Sequence, residues 1–291
     1  DVLENGPSSL YAHYFNVIWD PPKPELKNKV LLAVLDQQYG KVIENQELKI
    51  VFEDGAFFVE YHDRRFPVNP ITWPAILNPV VEELTVKLGE KDSHLLELQS
   101  IITALDHLPV TTEEDLEKSK VRAREKEIIK KRLAALTETS TIIHESIEHS
   151  MLQLNGQKGD PHSFDRLEEL LNQQAYRLSF WRVTNEEINY RRFFDVNDLI
   201  NMHVETEEVF EAMHELVLKY VNKGWITGFR IDHVDGLFDP QHYFIRLQKA
   251  CALALGETKE KVERNFYLLI EKILGENEKL CPQWLVFGTT G

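Results

Sequence analysis

Two short apolar runs, each closing on a carboxylate, constrain this chain more than any other feature. The first lies within Gly228-Phe-Arg230-Ile-Asp232-His233-Val-Asp235-Gly236, where an arginine and three acidic or imidazole groups crowd a short apolar stretch flanked by glycines. The second is Phe266-Tyr-Leu-Leu-Ile-Glu271, about forty residues further on. Apolar runs of this length with turn residues beside them predict buried strands. The surrounding grammar alternates: a helix is expected over 241–255, a short helix over 258–264 and a further strand over 285–287. Apolar strands separated by helices predict a parallel sheet with helical crossovers. Functional groups on such sheets sit at the carboxyl ends of the strands. Asp232 and Glu271 are therefore expected on one rim. Two carboxylates placed so are what retaining sugar-bond chemistry needs, at a separation of roughly 5–5.5 Å.

Upstream the pattern differs. Residues 1–79 are rich in Pro, Gly and aromatics, with short strands expected at 30–34, 48–52 and 57–61 and a hairpin turn at Glu53-Asp54-Gly55. Pro67, Pro70, Pro74 and Pro79 then mark a loop. From about 80 to 154 the apolar period becomes helical. Leu95, Leu98, Ile102 and Leu105 share one face, and Ile129, Leu133, Leu136, Ile143, Ile147 and Met151 another. The mixed charges of 113–132 predict a solvated helix face. Ser163 is the expected N-cap of a helix running to Leu171. Thr206 is the expected cap of the next, whose apolar face would be Val209, Met213, Leu216, Val217 and Tyr220, and Gly224 would end it. Three regions result: 1–79, loop- and strand-rich; 80–185, a helical insertion; and 186–291, which carries the parallel strands.

Composition narrows the function classes. A net charge of −15 argues against nucleic acid as a partner, since a binder needs a basic face. No apolar run reaches the roughly 20 residues that span a bilayer, so no membrane partner is expected. Cys251 and Cys281 form neither a disulfide framework nor a metal spacing, and His233 has no second ligand at a suitable distance in sequence. The expectation is no metal, no organic cofactor and a reducing, cytoplasmic setting. The chain begins at Asp1 without a signal-like segment, which suggests a piece of a longer protein.

These motifs carry a resemblance. Gly228-Phe-Arg-Ile-Asp232-His-Val-Asp235 resembles the fourth-strand motif of the α-amylase superfamily of glycoside hydrolases, and Ile270-Glu271-Lys-Ile-Leu its fifth-strand motif. Within that superfamily the chain is most similar to the maltooligosyl trehalose synthase family. The stretches concerned are Asp1-Val-Leu-Glu-Asn-Gly-Pro-Ser-Ser9, Ile188-Asn-Tyr190-Arg191-Arg192-Phe-Phe-Asp195-Val-Asn-Asp-Leu199, His233-Val-Asp-Gly-Leu-Phe-Asp-Pro240 and Glu271-Lys-Ile-Leu-Gly. The resemblance implies an α/β, helix-rich fold: the middle strands of a partial (β/α)8 TIM barrel with a large, mostly helical insertion. It implies Asp232 as nucleophile, Glu271 as general acid/base and Arg230 as the group that orients Asp232. It also implies that the family's first three strands precede residue 1, and that the third catalytic carboxylate follows residue 291. The chain would then be an internal fragment holding two of three carboxylates.

The implied activity is intramolecular transglucosylation of a maltooligosaccharide substrate, turning the reducing-end α-1,4 bond into an α,α-1,1 bond. An amylase-type α-glucan hydrolase and a non-catalytic carbohydrate-binding piece are the competing readings, and the isolated chain is expected to be inactive. Beside these roles stand plainer ones. Asp232 is also readable as a solvated strand-end acid paired with Arg230, and Glu271 as the first acid of a helix. His233 and Asp235 are either rim residues or hydrogen-bond partners of sugar hydroxyls. Tyr190, Arg191 and Arg192, with Phe193 and Phe194, form either a core-and-ion-pair cluster or a wall around the sugar. Glu276 and Glu278 read as solvated, and Trp73, Trp181 and Trp225 as core.

Overall fold

The computed structural model describes residues 1–257 and 263–290. Most of the helix expected at 258–264 lies outside the described residues. The protein is a helix-rich α/β chain that divides into two compact units. One comprises Asp1–Arg191 with Asn197–Ile200, the other Arg192–Val196 with Asn201–Gly291. No helix among the described residues is long and apolar enough to cross a membrane.

The first unit holds a parallel strand pair, Val30–Leu35 with Tyr176–Phe180. It also holds an antiparallel meander of Leu48–Glu53, Ala56–Tyr61 and Arg64–Pro67. The region read as a proline-marked loop starts on Pro67, the final residue of the last strand, and the proline at 74 opens the first long helix, Pro74–Leu88, which runs on through Pro79. Three more helices follow, Ser93–Asp106, Leu116–Thr139 and Thr141–Leu154. Their starts are written in the chain: the carboxylates of Asp92 and Asp115 each accept from two backbone N–H groups of the following first turn. Leu95, Leu98, Ile101 and Leu105 are buried from one helix, Ile129, Leu133 and Leu136 from the next, and Ile143, Ile147 and Met151 from the last. Trp73 is fully buried beneath them, its indole N–H on the Val68 carbonyl and its ring edge-on to Phe57.

The charged run departs from its expected role. Arg122 and Lys126, on the Leu116–Thr139 helix, are 1% and 4% exposed. Arg122 donates to Asn5 Oδ1, Asn69 Oδ1 and the Pro109 carbonyl; Lys126 sits between Asp1 and Glu4. Burial is tolerated because each cation is hydrogen-bonded on several sides. Mixed charge at helical spacing cannot show which two residues turn inward.

The hairpin turn at Asp54-Gly55 forms as expected, both residues at positive φ. It docks so tightly on the Leu116–Thr139 helix that a Cβ on Gly55 would meet the Lys130 carbonyl and lie 2.7 Å from the Ala134 amide nitrogen. Gly55→Ala is therefore expected to destabilise the chain by about 2–4 kcal/mol, combining left-handed strain with overpacking against backbone. Urea unfolding of the two proteins measures this; equal midpoints would show that the hairpin tip is loosely docked.

In the second unit, Gly228–Ile231, Tyr267–Ile270 and Gly288–Thr289 form a parallel sheet with the 267–270 strand in the centre. The third strand starts later than expected because Val286 is drawn into the core and pairing begins only beyond it. The helix Pro240–Ala254 crosses over between the first two strands and packs Phe244, Leu247 and Cys251 against Leu268 and Ile270. Its one buried amide, Gln248, stitches the loops before two strands. It donates to the Phe266 and Leu285 carbonyls and accepts from the Asn265 and Phe266 amides. Burial pushes the Cys251 thiol up to about 12, leaving it a packing group.

The helix Glu207–Asn222 starts after Thr206, whose hydroxyl makes no capping bond, and ends before Gly224 at φ 72. Its buried face is Val209, Phe210, His214 and Val221, rotated from the expected one; Met213 and Leu216 are 47% and 58% exposed. The rotation follows from His214, a polar residue that completes an apolar face by spending both ring nitrogens, on the Phe210 carbonyl and the Tyr243 hydroxyl. Ser163 differs likewise: its hydroxyl bonds back to Gln157 and Asp160, and the helix Asp165–Asn172 begins without it.

Candidate active site

The two strands that define the site are in parallel register, Ile231 opposite Ile270, and the Glu271 amide donates to the Ile231 carbonyl at 2.8 Å. Asp232 and Glu271 are thus the first residues beyond a matched pair. Alternation along each strand does the rest. Phe229, Ile231, Leu268 and Ile270 belong to the core against the crossover helix, so Arg230, Asp232 and Glu271 take the opposite side. Gly228 starts the strand because the Tyr267 ring and carbonyl would lie 2.9 Å from any Cβ there.

One guanidinium joins the two acids. Arg230 Nη1 is bonded to Asp232 Oδ1, Nη2 lies 3.2 Å from Glu271 Oε1, and Nε donates to the Thr290 hydroxyl. The fork shape of arginine permits such a bridge, where a lysine would offer one point charge. Glu271 Oε2 is buried without a hydrogen-bond partner, and the nearest imidazole nitrogen, His233 Nδ1, is 3.6 Å away. His233 has a left-handed backbone, φ 52, which turns its ring towards Phe193 and Phe194 at 5.1 and 5.9 Å between centroids. A non-glycine residue held there costs of order 1 kcal/mol or more and recurs at functional sites.

Asp235 lies on the short turn Val234–Gly236 and reaches Lys272 at 3.3 Å. Lys272 also meets Glu278 at 2.8 Å, and Glu278 stays solvent-exposed as expected. The hydrogen bond to Glu278, with that to Asp235, holds the lysine above its ordinary range; the same lysine holds Glu278 below the usual carboxylate range. The Thr289 hydroxyl clasps the Lys272 backbone on both its N–H and its carbonyl. Lys272, Thr289 and Thr290 were not anticipated. Strand-end logic applied to the third strand would have found the threonines.

The remaining sequence candidates are placed as follows. Arg192 reaches Asp195 at 3.1 Å within the second unit. Tyr190 and Arg191 belong to the first unit. The Tyr190 ring is buried, its hydroxyl donates to the Asn197 carbonyl, and the Arg191 amide donates to the Asn16 carbonyl. Tyr190 also lines a mainly apolar cavity of about 580 Å³ with Phe15, Val17, Val34 and Phe66. Of the tryptophans expected in the core, Trp73 is buried, whereas Trp181 and Trp225 are 50% and 68% exposed.

Fold and site together define a helix-rich α/β protein with an acidic pair at adjacent parallel strand ends. The proteins it is similar to are maltooligosyl trehalose synthases. Two Mycobacterium tuberculosis proteins described by that name are 36% identical over 120 residues, which is 41% of this chain and 14% of theirs. Solved structures agree in fold. The maltooligosyltrehalose synthase of Arthrobacter ramosus matches the whole chain at TM-score 0.53 and 23% identity, and a glycosyltrehalose synthase at 0.53 and 24%. The chain spans 24% and 26% of those two structures, respectively. No family profile matches the chain.

Proposed function

We propose that this chain is part of the catalytic domain of a maltooligosyl trehalose synthase, a (1→4)-α-D-glucan 1-α-D-glucosylmutase of the α-amylase superfamily. In this reading the second unit supplies middle strands of a (β/α)8 barrel in a cytoplasmic protein, and the substrate is a maltooligosaccharide. The observation that carries the proposal is the Arg230 guanidinium spanning Asp232 and Glu271 at neighbouring strand ends.

The chemistry keeps the anomeric configuration, so two displacements are required. Asp232 attacks the anomeric carbon of the penultimate glucose, with Arg230 fixing its carboxylate. Glu271 protonates the departing O4 of the reducing-end glucose. That glucose stays bound, turns, and offers its own anomeric hydroxyl, which Glu271 deprotonates as it attacks the glycosyl–Asp232 ester. Enclosure decides the outcome, because water in place of the glucose gives hydrolysis. His233, Asp235 and Arg192 are assigned to hydrogen bonds with sugar hydroxyls around the cleaved bond. The reaction as proposed needs no metal and no organic cofactor: two carboxylates and a bound sugar complete every proton transfer.

The full-length protein with maltopentaose tests this. Reducing ends should disappear with little free glucose, leaving a non-reducing product of unchanged size. Glucose and maltotetraose accumulating together would identify a hydrolase. No change in the sugar would leave a binding role.

A further inference from the structure

The first unit holds a second constellation, unrelated to the strand-end acids in residue set. Asp36 follows the Val30–Leu35 strand, Glu47 precedes the Leu48–Glu53 strand, and His62 turns the hairpin between Ala56–Tyr61 and Arg64–Pro67. No sequence spacing joins them. The antiparallel register does, since Leu48 pairs with Tyr61 and so sets Glu47 across from His62. One ligand atom from each of the three lies within 4.8 Å of the others, and His62 Nε2 is 3.9 Å from Glu47 Oε2.

We propose that Asp36, Glu47 and His62 bind a divalent first-row cation of the Zn²⁺ type, with water completing the coordination. The donor set is one imidazole nitrogen and two carboxylates, a mixture that suits zinc-like ions better than the all-oxygen shells of Mg²⁺ or Ca²⁺. Around a tetrahedral ion with ligand distances of roughly 2.0–2.2 Å the donors sit about 3.3–3.6 Å apart, so the widest pair, within 4.8 Å, would close by at most about 1.5 Å. The side chains of Asp36 and His62 are exposed enough to make that adjustment.

Charge points the same way. Two carboxylates converge here, and among the described residues neither forms an ion pair with a lysine or arginine. A cation between them removes their repulsion. Asp36 also has an orienting partner. The buried Tyr61 hydroxyl donates to its Oδ1 at 2.5 Å and accepts from its backbone amide at 3.1 Å. Ligating carboxylates are held by outer hydrogen bonds of this kind. A bound ion would tie the hairpin tip to the end of the parallel strand pair.

Calorimetric titration of the metal-stripped 291-residue chain with ZnCl₂, beside thermal unfolding, tests the site. His62 has a left-handed backbone, φ 53, which His62→Asn tolerates, and Asp36→Asn and Glu47→Gln keep shape while removing charge. The wild-type chain should take up one more tight equivalent of Zn²⁺ than any variant, and its Tm should rise on the order of 5 °C with excess metal. Each variant should lose at least about tenfold in affinity for that equivalent and most of the Tm rise. The same stoichiometry and Tm shift in all four proteins, or no saturable uptake by the wild type, would overturn the proposal. Neither result depends on the sugar chemistry.

Discussion

Asp232→Asn in the full-length protein is expected to lower kcat by about 10⁴-fold or more while leaving maltooligosaccharide affinity within a few-fold of wild type. Asparagine keeps the size of aspartate and one acceptor oxygen, so contacts with sugar hydroxyls survive. It has no anionic oxygen to attack the anomeric carbon, so the glycosyl ester cannot form. The Arg230 fork would still find the amide oxygen and keep its Glu271 partner. Calorimetry with maltopentaose, alongside turnover, separates the two effects. Loss of binding equal to the loss of turnover would mean that Asp232 holds substrate or structure and not the reacting carbon. Near-normal turnover would remove it from the chemistry.

Glu271→Gln is expected to lower kcat on maltopentaose about 10²–10⁴-fold, the range that general acid–base catalysis supplies. Its defect should depend on the leaving group. With maltopentaose the departing O4 needs a proton and both steps fail. With an activated α-glucosyl donor the first step needs no acid, so the ester on Asp232 forms, and the second step stalls without a base. A burst of leaving group followed by a plateau is the expected time course. The strand-end position of Glu271 beside Asp232, with Arg230 between the two carboxylates, motivates the assignment. A uniform loss on both substrates would point to a structural role for Glu271 beside Arg230.

The parts of this molecule legible in the sequence are those written in local pattern. Apolar periodicity gave the faces that bury Leu95, Leu133 and Ile147. The two runs ending at Asp232 and Glu271 became neighbouring parallel strands in matching register. What stayed hidden depends on partners far along the chain. Arg122 and Lys126 look solvated until Asn5, Asn69 and Glu4 close over them. His214 reads as a polar interruption, and only Tyr243, 29 residues on, makes it part of a core face. The site divides in the same way. Strand-end position revealed the two carboxylates, and the family resemblance singled out the arginine two residues before Asp232. The left-handed backbone of His233 and the Lys272 link from Asp235 to Glu278 leave no local signal.

In the proposed mechanism Asp232 forms the covalent sugar ester and Glu271 moves the protons. Peptide mapping by mass spectrometry of the full-length Glu271→Gln variant, quenched after reaction with an activated α-glucosyl donor, tests it most directly. Glycosyl mass is expected on the peptide that contains Asp232, and none on any peptide of the Asp232→Asn variant treated alike. Sugar on Glu271 in the Asp232→Asn variant, or an unlabelled Asp232 peptide in a Glu271→Gln variant that has released its leaving group, would contradict it.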